Sequence, residues 1–108
     1  MKSYLIEENI KDWIKTNGNQ LFIDILEACE DGLNSKADEI LVASIKTMHG
    51  VTFFKLPDMV SILESLRKCE NNFVVLEDYE KAARARDCGN SWNSRKIYKE
   101  NSLHNVVG

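Results

Sequence analysis

Apolar residues recur at steps of three and four along much of the chain, which is the spacing of one face of an α-helix. In the first half this spacing predicts three helices. They cover about residues 3–17, 20–31 and 35–48. Ser3 is a suitable N-cap for the first helix. The Asn-Gly pair at 17–18 should end that helix, because both residues tolerate the left-handed conformation of a helix end.

The third of these segments has two interpretations. Residues 40–45, ILVASI, are rich in β-branched side chains and would also suit a strand. The helical stripe is longer than the strand pattern, so we predict a helix. The members of that stripe are Ala37, Ile40, Leu41, Ser44, Ile45 and Met48.

The second half contains two further helical segments. Asp58 can cap a fourth helix that carries Phe73 on its inner side. A short turn near residues 76–78 should lead into a fifth helix that begins at about Tyr79. Together they predict a helical hairpin over about residues 58–92.

Three other segments are harder to assign. Residues 49–57 fit an extended linker, a short strand or an irregular turn. Gly89-Asn90-Ser91 should interrupt or end the fifth helix, because these residues favour helix ends. A helix could resume after Trp92, and about residues 100–108 should form a flexible tail.

Composition favours one all-α domain. The chain has 108 residues, which suits a single core, and its 44% hydrophobic and 29% charged residues are ordinary for a globular protein. Only 5 Gly and 1 Pro are present, so long helices with short connections are favoured over many strands. We therefore predict that residues 1–108 form a small bundle of four to six helices.

Candidate chemistry is sparse. Cys29, Cys69 and Cys88 form no CxxC pair, which indicates three reduced, buried thiols of a cytoplasmic protein instead of disulfides or a zinc site. His49 and His104 belong to no catalytic signature, and no Gly-rich phosphate loop is present. No run of 18 apolar residues could span a membrane. We predict no catalytic residues, no metal, no cofactor and no membrane partner.

The clearest local motif is EDYEKAARARD at residues 77–87. Ala82 and Ala83 have small side chains that let a neighbouring helix approach closely. Tyr79 and Arg86 are seven residues apart, which places them on nearly the same face of a helix. The motif indicates the closely packed half of a helical hairpin.

This motif resembles the UvrB/UvrC motif, a short helical hairpin found in those excision-repair subunits, in the chaperone ATPase ClpC and in its adaptor McsA. The family's pattern is an acid-Asp-aromatic-Glu run, two alanines and a later Arg-Asp pair. The matching residues are Asp78, Tyr79, Glu80, Ala82, Ala83, Arg86 and Asp87. The similarity covers about residues 58–92. Gly89 and Trp92 depart from the pattern, which has Ile or Leu at these places, and residues 1–57 resemble no family.

The resemblance implies contact with proteins, because hairpins of this family associate with another protein or another copy of the motif. It implies a non-catalytic adaptor or modulator. The implied partner is UvrB/UvrC-like or Clp-type machinery, or a second copy of the chain. The implied contact residues are Tyr79, Ala82, Ala83, Arg84, Arg86 and Asp87. Alternatively, Tyr79 and the two alanines close the protein's own core.

An uneven charge distribution suggests a second hypothesis. Residues 1–34 carry a net charge of −4, from 3 lysines and 7 acids, whereas residues 81–99 carry +5, from 6 bases and 1 acid. A basic segment with aromatic residues could bind a nucleic acid. The residues for this role are Lys81, Trp92, Arg95, Lys96 and Lys99. The same bases could instead pair with the protein's own acids, and the overall charge of −3 favours the protein-binding hypothesis.

Overall fold

Within residues 2–107 the chain forms three helices and a three-stranded sheet, so the predicted all-α bundle of four to six helices is wrong. The computed structural model describes the backbone of residues 2–107 and the side chains of residues 2–95. The elements in chain order are β1 (Lys2–Leu5), α1 (Ile10–Ser35), β2 (Ile40–Thr47), β3 (Gly50–Leu56), α2 (Met59–Val75) and α3 (Tyr79–Val107). The fold is therefore α+β.

The sheet has the strand order β1-β2-β3. β1 runs parallel to β2, with α1 as the crossover between them, and β3 runs antiparallel to β2. Met48 and His49 form the two-residue loop between β2 and β3. Gly50 follows with a φ of +122°, a conformation in which a Cβ would be strained. Of the three interpretations of residues 49–57, the strand is confirmed.

A β-bulge in β2 explains why its strand character is hidden in the sequence. The register shifts between Leu41 and Ala43, which leaves Val42 as an extra residue in the ladder. Val42 and Ala43 are both buried as a result, with 2% and 0% of their surface exposed. Two successive buried residues break the alternation that marks a strand. The predicted helix over residues 35–48 is wrong for this reason.

One face of the sheet is covered by helices and the other face is open to solvent. Tyr4 and Phe54 pack against the core on the face that α1 and α2 contact. The opposite face, which we call the outer sheet face, is open to solvent. The apolar side chains exposed there are Leu5, Leu41, Val51 and Phe53. On this face Ser3 Oγ of β1 and Ser44 Oγ of β2 form a hydrogen bond of 2.9 Å.

α1 is one continuous helix where two were predicted. Its N-cap is Asn9, whose side chain accepts a hydrogen bond from the backbone N–H of Lys11 at 2.8 Å. Ser3, the predicted cap, lies in β1. The Asn-Gly pair at 17–18 does not end the helix, and the Asn17 side chain donates to the Trp13 carbonyl at 3.0 Å. The local stop signal is therefore overridden by the helix around it.

α2 begins where the sequence predicts. Asp58 is its N-cap and accepts a hydrogen bond from the backbone N–H of Ser61 at 2.8 Å, which holds the pKa of Asp58 below its usual value. The predicted start of the next helix at Tyr79 is also confirmed. Gly89-Asn90-Ser91 neither interrupts nor ends α3, so that prediction is wrong. The predicted tail, about residues 100–108, lies outside the residues whose side chains are described.

The core lies between the helices and the sheet. Its largest fully buried apolar side chains come from all three helices. They are Leu26 of α1, Ile62, Leu66 and Phe73 of α2, and Trp92 of α3. A smaller cluster joins Ile6, Trp13 and Ile45, and Tyr4 packs edge-on against Trp13 with ring centroids 5.0 Å apart. α3 is therefore anchored to the rest of the fold through Trp92.

Two glycines of α1 should respond in opposite ways to alanine. At Gly32 a Cβ would overlap Ile40 Cδ1 and lie 3.1 Å from Trp92 Cζ2, so Gly32→Ala should destabilise the fold by about 1–3 kcal/mol. At Gly18 a Cβ would meet nothing within 4 Å, so Gly18→Ala should stabilise it by about 0.5–1 kcal/mol through helix propensity. Urea denaturation measures both. A neutral Gly32→Ala or a destabilising Gly18→Ala would contradict the packing of α1.

Candidate docking site at the hairpin bend

α2 and α3 form a helical hairpin whose turn is held by its own backbone. Leu76 is the C-cap of α2. Glu77 N–H donates to the Val74 carbonyl at 3.0 Å, and Asp78 N–H donates to the Phe73 carbonyl at 2.8 Å. These are the two bonds of a Schellman motif, in which glycine usually occupies the left-handed position; here Glu77 occupies it with a φ of +59°. The bend is therefore preformed.

Four apolar side chains are exposed at the bend: Val74 is 47% exposed, and the other three, which are more exposed, we call the bend patch. Val75, Leu76 and Tyr79 have 81%, 52% and 64% of their surface exposed. Phe73, two residues before the patch, is completely buried. Single exposed apolar residues are common, but three within five positions across one bend give a local apolar projection.

The charges beside the bend patch are mostly acidic. Asp78 caps α3: Oδ1 accepts from the backbone N–H of Lys81 at 3.3 Å, and Oδ2 lies 2.9 Å from Lys81 Nζ. The hydrogen bond from that ammonium lowers the pKa of Asp78. The charges of Asp78 and Lys81 cancel each other. The exposed carboxylates of Glu77 and Glu80 therefore make the surroundings of the patch negative. Lys81, predicted for phosphate contact, already serves this cap.

The alanines of the motif pack inside the hairpin. Ala82 is 6% exposed and belongs to the main core cluster, as does Ala85. Ala83 is half-buried. The prediction that Ala82 contacts a partner is wrong, because its side chain is already covered within the chain. Its small size serves the packing of α3 instead.

Arg84 is also used within the fold. Its Nε and Nη2 donate to the two carboxylate oxygens of Glu30 at 3.3 and 2.6 Å, which joins α3 to α1. This hydrogen-bonded pairing raises the pKa of Arg84. Glu30 therefore occupies two of the guanidinium nitrogens, while the Arg84 side chain stays 41% exposed, so its contact with a partner stays a prediction.

Arg86 and Asp87 remain accessible. Their side chains are 58% and 70% exposed, and Arg86 Nε lies 3.4 Å from Asp87 Oδ1. Arg86 also lines a shallow groove of about 260 Å³ between α2 and α3, together with Arg67 and Glu70. Of the six predicted contact residues, Tyr79, Arg86 and Asp87 are the most exposed, Ala83 and Arg84 are partly exposed, and Ala82 is buried.

Trp92, predicted to stack on nucleic-acid bases, is a core residue. Its surface is 0% exposed, and its Nε1–H donates to the carbonyl of Cys29 in α1 at 3.0 Å. A ring that is enclosed on all sides cannot stack on a base. This prediction is wrong because the helix continues past Gly89 and turns Trp92 inward.

Arg95, predicted to contact phosphate, caps the end of α1. Its guanidinium lies 4.9 Å from the centre of the Trp92 ring and donates to the Lys36 and Ala37 carbonyls at 2.8 and 2.7 Å. Those carbonyls would otherwise lack partners at a helix end. The phosphate role is therefore wrong for Arg95, and the side chains of Lys96 and Lys99 lie outside the described residues.

The sequence motif predicts Tyr79 as a contact residue but gives no sign of Val75 and Leu76. Residues 74–76 are a run of three apolar residues just before the turn. Phe73 completes the buried stripe of α2, so the apolar residues that continue past it have no place in the core. This excess of apolar residues at a helix end was the available signal.

A groove of about 480 Å³ lies between α1 and the first part of β2 and carries acidic side chains. Its buried carboxylate, Asp24, accepts hydrogen bonds from the Tyr4 hydroxyl and from Gln20 Nε2, the latter at 3.0 Å. Burial and the hydrogen bond to Asp24 raise the pKa of Tyr4 to about 12. Asp24 is thus fully engaged in joining β1 to α1, and we assign it a structural role.

The described residues form neither a metal site nor a cluster of reactive thiols. Among them, no group of three or more His, Cys, Asp or Glu side chains could hold a metal ion. Burial raises the pKa of Cys69 and Cys88 to about 12 and also raises that of Cys29. Such thiols stay protonated at neutral pH and are poor nucleophiles.

Between residues 2 and 107, no helix has both the length and the apolar character needed to cross a membrane. Comparison with protein-family models, with curated proteins and with solved structures finds no match to this chain. Function is therefore inferred from the side chains that the fold exposes.

Proposed function

We propose that this chain is a non-catalytic protein-interaction module, an adaptor or modulator, that docks through the bend of the α2–α3 hairpin. The observation that carries the proposal is the bend patch, where Val75, Leu76 and Tyr79 project from a preformed turn. The resemblance of residues 77–87 to the UvrB/UvrC motif supports the same surface. Three free, buried cysteines suit a reducing compartment, and we place the protein in the cytoplasm.

Docking takes the bend patch out of water. Full burial of one apolar side chain contributes about 1.5–3 kcal/mol, and tyrosine is among the residues that most often dominate an interface. The Schellman bonds already hold the turn, so little conformational entropy is lost on binding. A small patch can therefore support specific association.

The charges near the patch define the partner. Glu77 and Glu80 lie on either side of Tyr79 along the chain and are exposed, which favours an apolar pocket with a basic rim. Farther along α3, Arg86 and Asp87 offer one charge of each sign, which sets the orientation of the complex. UvrB/UvrC-like or Clp-type machinery is the partner class that the resemblance suggests, with a second hairpin as the other candidate.

The test removes the exposed groups without disturbing the core. The double variant Tyr79→Ala, Arg86→Glu should unfold cooperatively near the wild-type temperature, because both side chains are exposed. It should lose its partners in a pull-down from bacterial lysate read by quantitative mass spectrometry. Loss of a dominant tyrosine costs about 2 kcal/mol or more, which is roughly a 30-fold loss of affinity.

A matched control makes the same kinds of change elsewhere. Leu5→Ala with Lys46→Glu truncates one exposed apolar side chain and reverses one exposed cation on the outer sheet face. This control should keep every partner that the wild-type protein captures. If the bend variant keeps those partners, or if both variants lose them equally, the bend is not the docking site.

A further inference from the structure

β3 is an edge strand with a free side. Within the described part of the chain β2 is its only strand neighbour, and no backbone hydrogen bond from a helix or loop reaches residues 51–55. Val51 and Phe53 are 60% and 54% exposed. The seven-residue strand contains no proline, one of the features that usually block pairing at a sheet edge. Its backbone therefore offers unpaired donors and acceptors to another strand.

The β2–β3 hairpin determines which backbone groups face outward. Thr47 and Gly50 close its two-residue loop, and the closing pair of such a loop is a hydrogen-bonded pair. Hydrogen-bonded and non-hydrogen-bonded pairs alternate along the ladder, so Val51 and Phe53 direct their N–H and C=O groups away from β2. The bulge lies in β2, so the alternation continues along β3 to Lys55.

We infer that β3 pairs with β3 of a second copy of this chain, antiparallel and centred on Phe53, to form a six-stranded sheet across a two-fold axis. In this register Phe53 meets Phe53 of the other copy, and Val51 meets Lys55. The outward N–H and C=O groups of all three residues then find partners. This contact uses a different surface from the proposed docking site at the bend.

The side chains of β3 are compatible with this self-pairing. The two Phe53 rings form an aromatic cross-strand pair, which is a favourable combination. Lys55 lies across from Val51, on which its aliphatic stem can pack, so no lysine faces a lysine. A two-fold contact requires a surface that is complementary to itself, and β3 meets this condition in both its backbone and its side chains.

Charge complementation at position 53 tests the register. Wild-type protein should show a concentration-dependent monomer–dimer equilibrium in sedimentation velocity. F53K and F53E each place like charges opposite one another at the axis and should weaken dimerisation about 10-fold or more. An equal mixture of the two should restore the dimer, because a lysine then faces a glutamate. Phe53 is exposed, so neither change disturbs the core of the monomer.

Two controls separate the edge of β3 from general effects. Leu5→Lys adds the same charge to the outer sheet face at the opposite edge, where Leu5 is 60% exposed, and should leave the dimer unchanged. Val51→Pro removes an outward N–H without breaking the ladder to β2 and should abolish the dimer, whereas Val51→Ala should keep it. Circular dichroism confirms that each monomer is folded.

Several outcomes would overturn the inference. A wild-type chain that stays monomeric at its highest soluble concentration would overturn it. A dimer whose dissociation constant is unchanged in F53K would also overturn it. Failure of the F53K and F53E mixture to dimerise would reject the two-fold register. A dimer lost in Tyr79→Ala but kept in F53K would place self-association at the bend, which supports the proposed docking site and rejects the edge contact.

Discussion

Replacement of Trp92 by alanine is expected to destabilise the protein by about 3–5 kcal/mol. Trp92 is 0% exposed and is the largest fully buried side chain of the described residues. Its indole packs near Gly32 and donates to the Cys29 carbonyl at 3.0 Å, so it joins α3 to α1. A domain of this size has a total stability of about 5–15 kcal/mol, so much of it depends on this side chain. Urea denaturation followed by circular dichroism measures the loss.

Two comparison variants make this expectation specific. Trp92→Phe keeps an aromatic ring but removes the indole N–H and part of the volume, and should cost less, about 1–3 kcal/mol. Tyr79→Ala truncates an aromatic side chain that is 64% exposed, and should change stability by about 0.5 kcal/mol or less. Equal midpoints for Trp92→Ala and wild type would contradict the role of Trp92. A cost for Tyr79→Ala as large as that for Trp92→Ala would show that Tyr79 is structural.

The role of Trp92 was recoverable in part from the sequence. Ala82, Ala85, Cys88 and Trp92 follow one another at helical steps and are all buried. The Gly-Asn-Ser run at 89–91 suggested that the helix stops before this stripe is complete. Tertiary packing overrides that weak preference, since a single glycine costs a helix only about 1 kcal/mol. With the helix continued, the same pattern identifies Trp92 as core.

The helix starts that the sequence predicts correctly are marked by residues next to them in the chain. The strands that it does not predict lack such a local pattern. Asp58 and Asp78 mark the starts of α2 and α3 because a cap acts on backbone groups within three residues. β1 has four residues and pairs with a strand about forty residues away, so no local pattern reveals it. The bulge at Val42 additionally hides the alternation of β2.

The same distinction applies to the candidate site. Tyr79 was found through a contiguous motif, and its exposure agrees with a role at the surface. Arg84 belongs to that motif too, but its partner Glu30 lies 54 residues away in α1. A sequence motif shows which residue types occur together. It does not show which of their side chains are already paired with other residues of the same fold. The pairing with α1 therefore leaves fewer free donors on Arg84 for a partner.

Stability is expected to fall steeply above pH 9, because the buried thiols keep their protons in the folded state. Burial is the main cause: it raises the pKa of Cys69 and Cys88 from 9.0 to about 12, and it also raises that of Cys29. In the unfolded chain these thiols ionise near their ordinary value. Their contribution is therefore complete below pH 9 and is lost as the pH rises toward 12. Each thiol should lower the free energy of unfolding by up to about 1.4 kcal/mol per pH unit, or about 4 kcal/mol for all three.

Urea denaturation at pH 8, 9 and 10 with reductant present measures this slope. Tyr4 interferes little, because its pKa is raised from 10.0 to about 12, so most of its contribution is lost above pH 10. Tyr4→Phe should therefore change the slope between pH 9 and 10 by less than Cys69→Ala does, whatever its effect on stability itself. Cys69→Ala should reduce the slope by about one third, since one of three thiols no longer ionises on unfolding. Equal slopes for Cys69→Ala and wild type would show that the Cys69 thiol is ionised or exposed in the folded protein, which is incompatible with its place in the core.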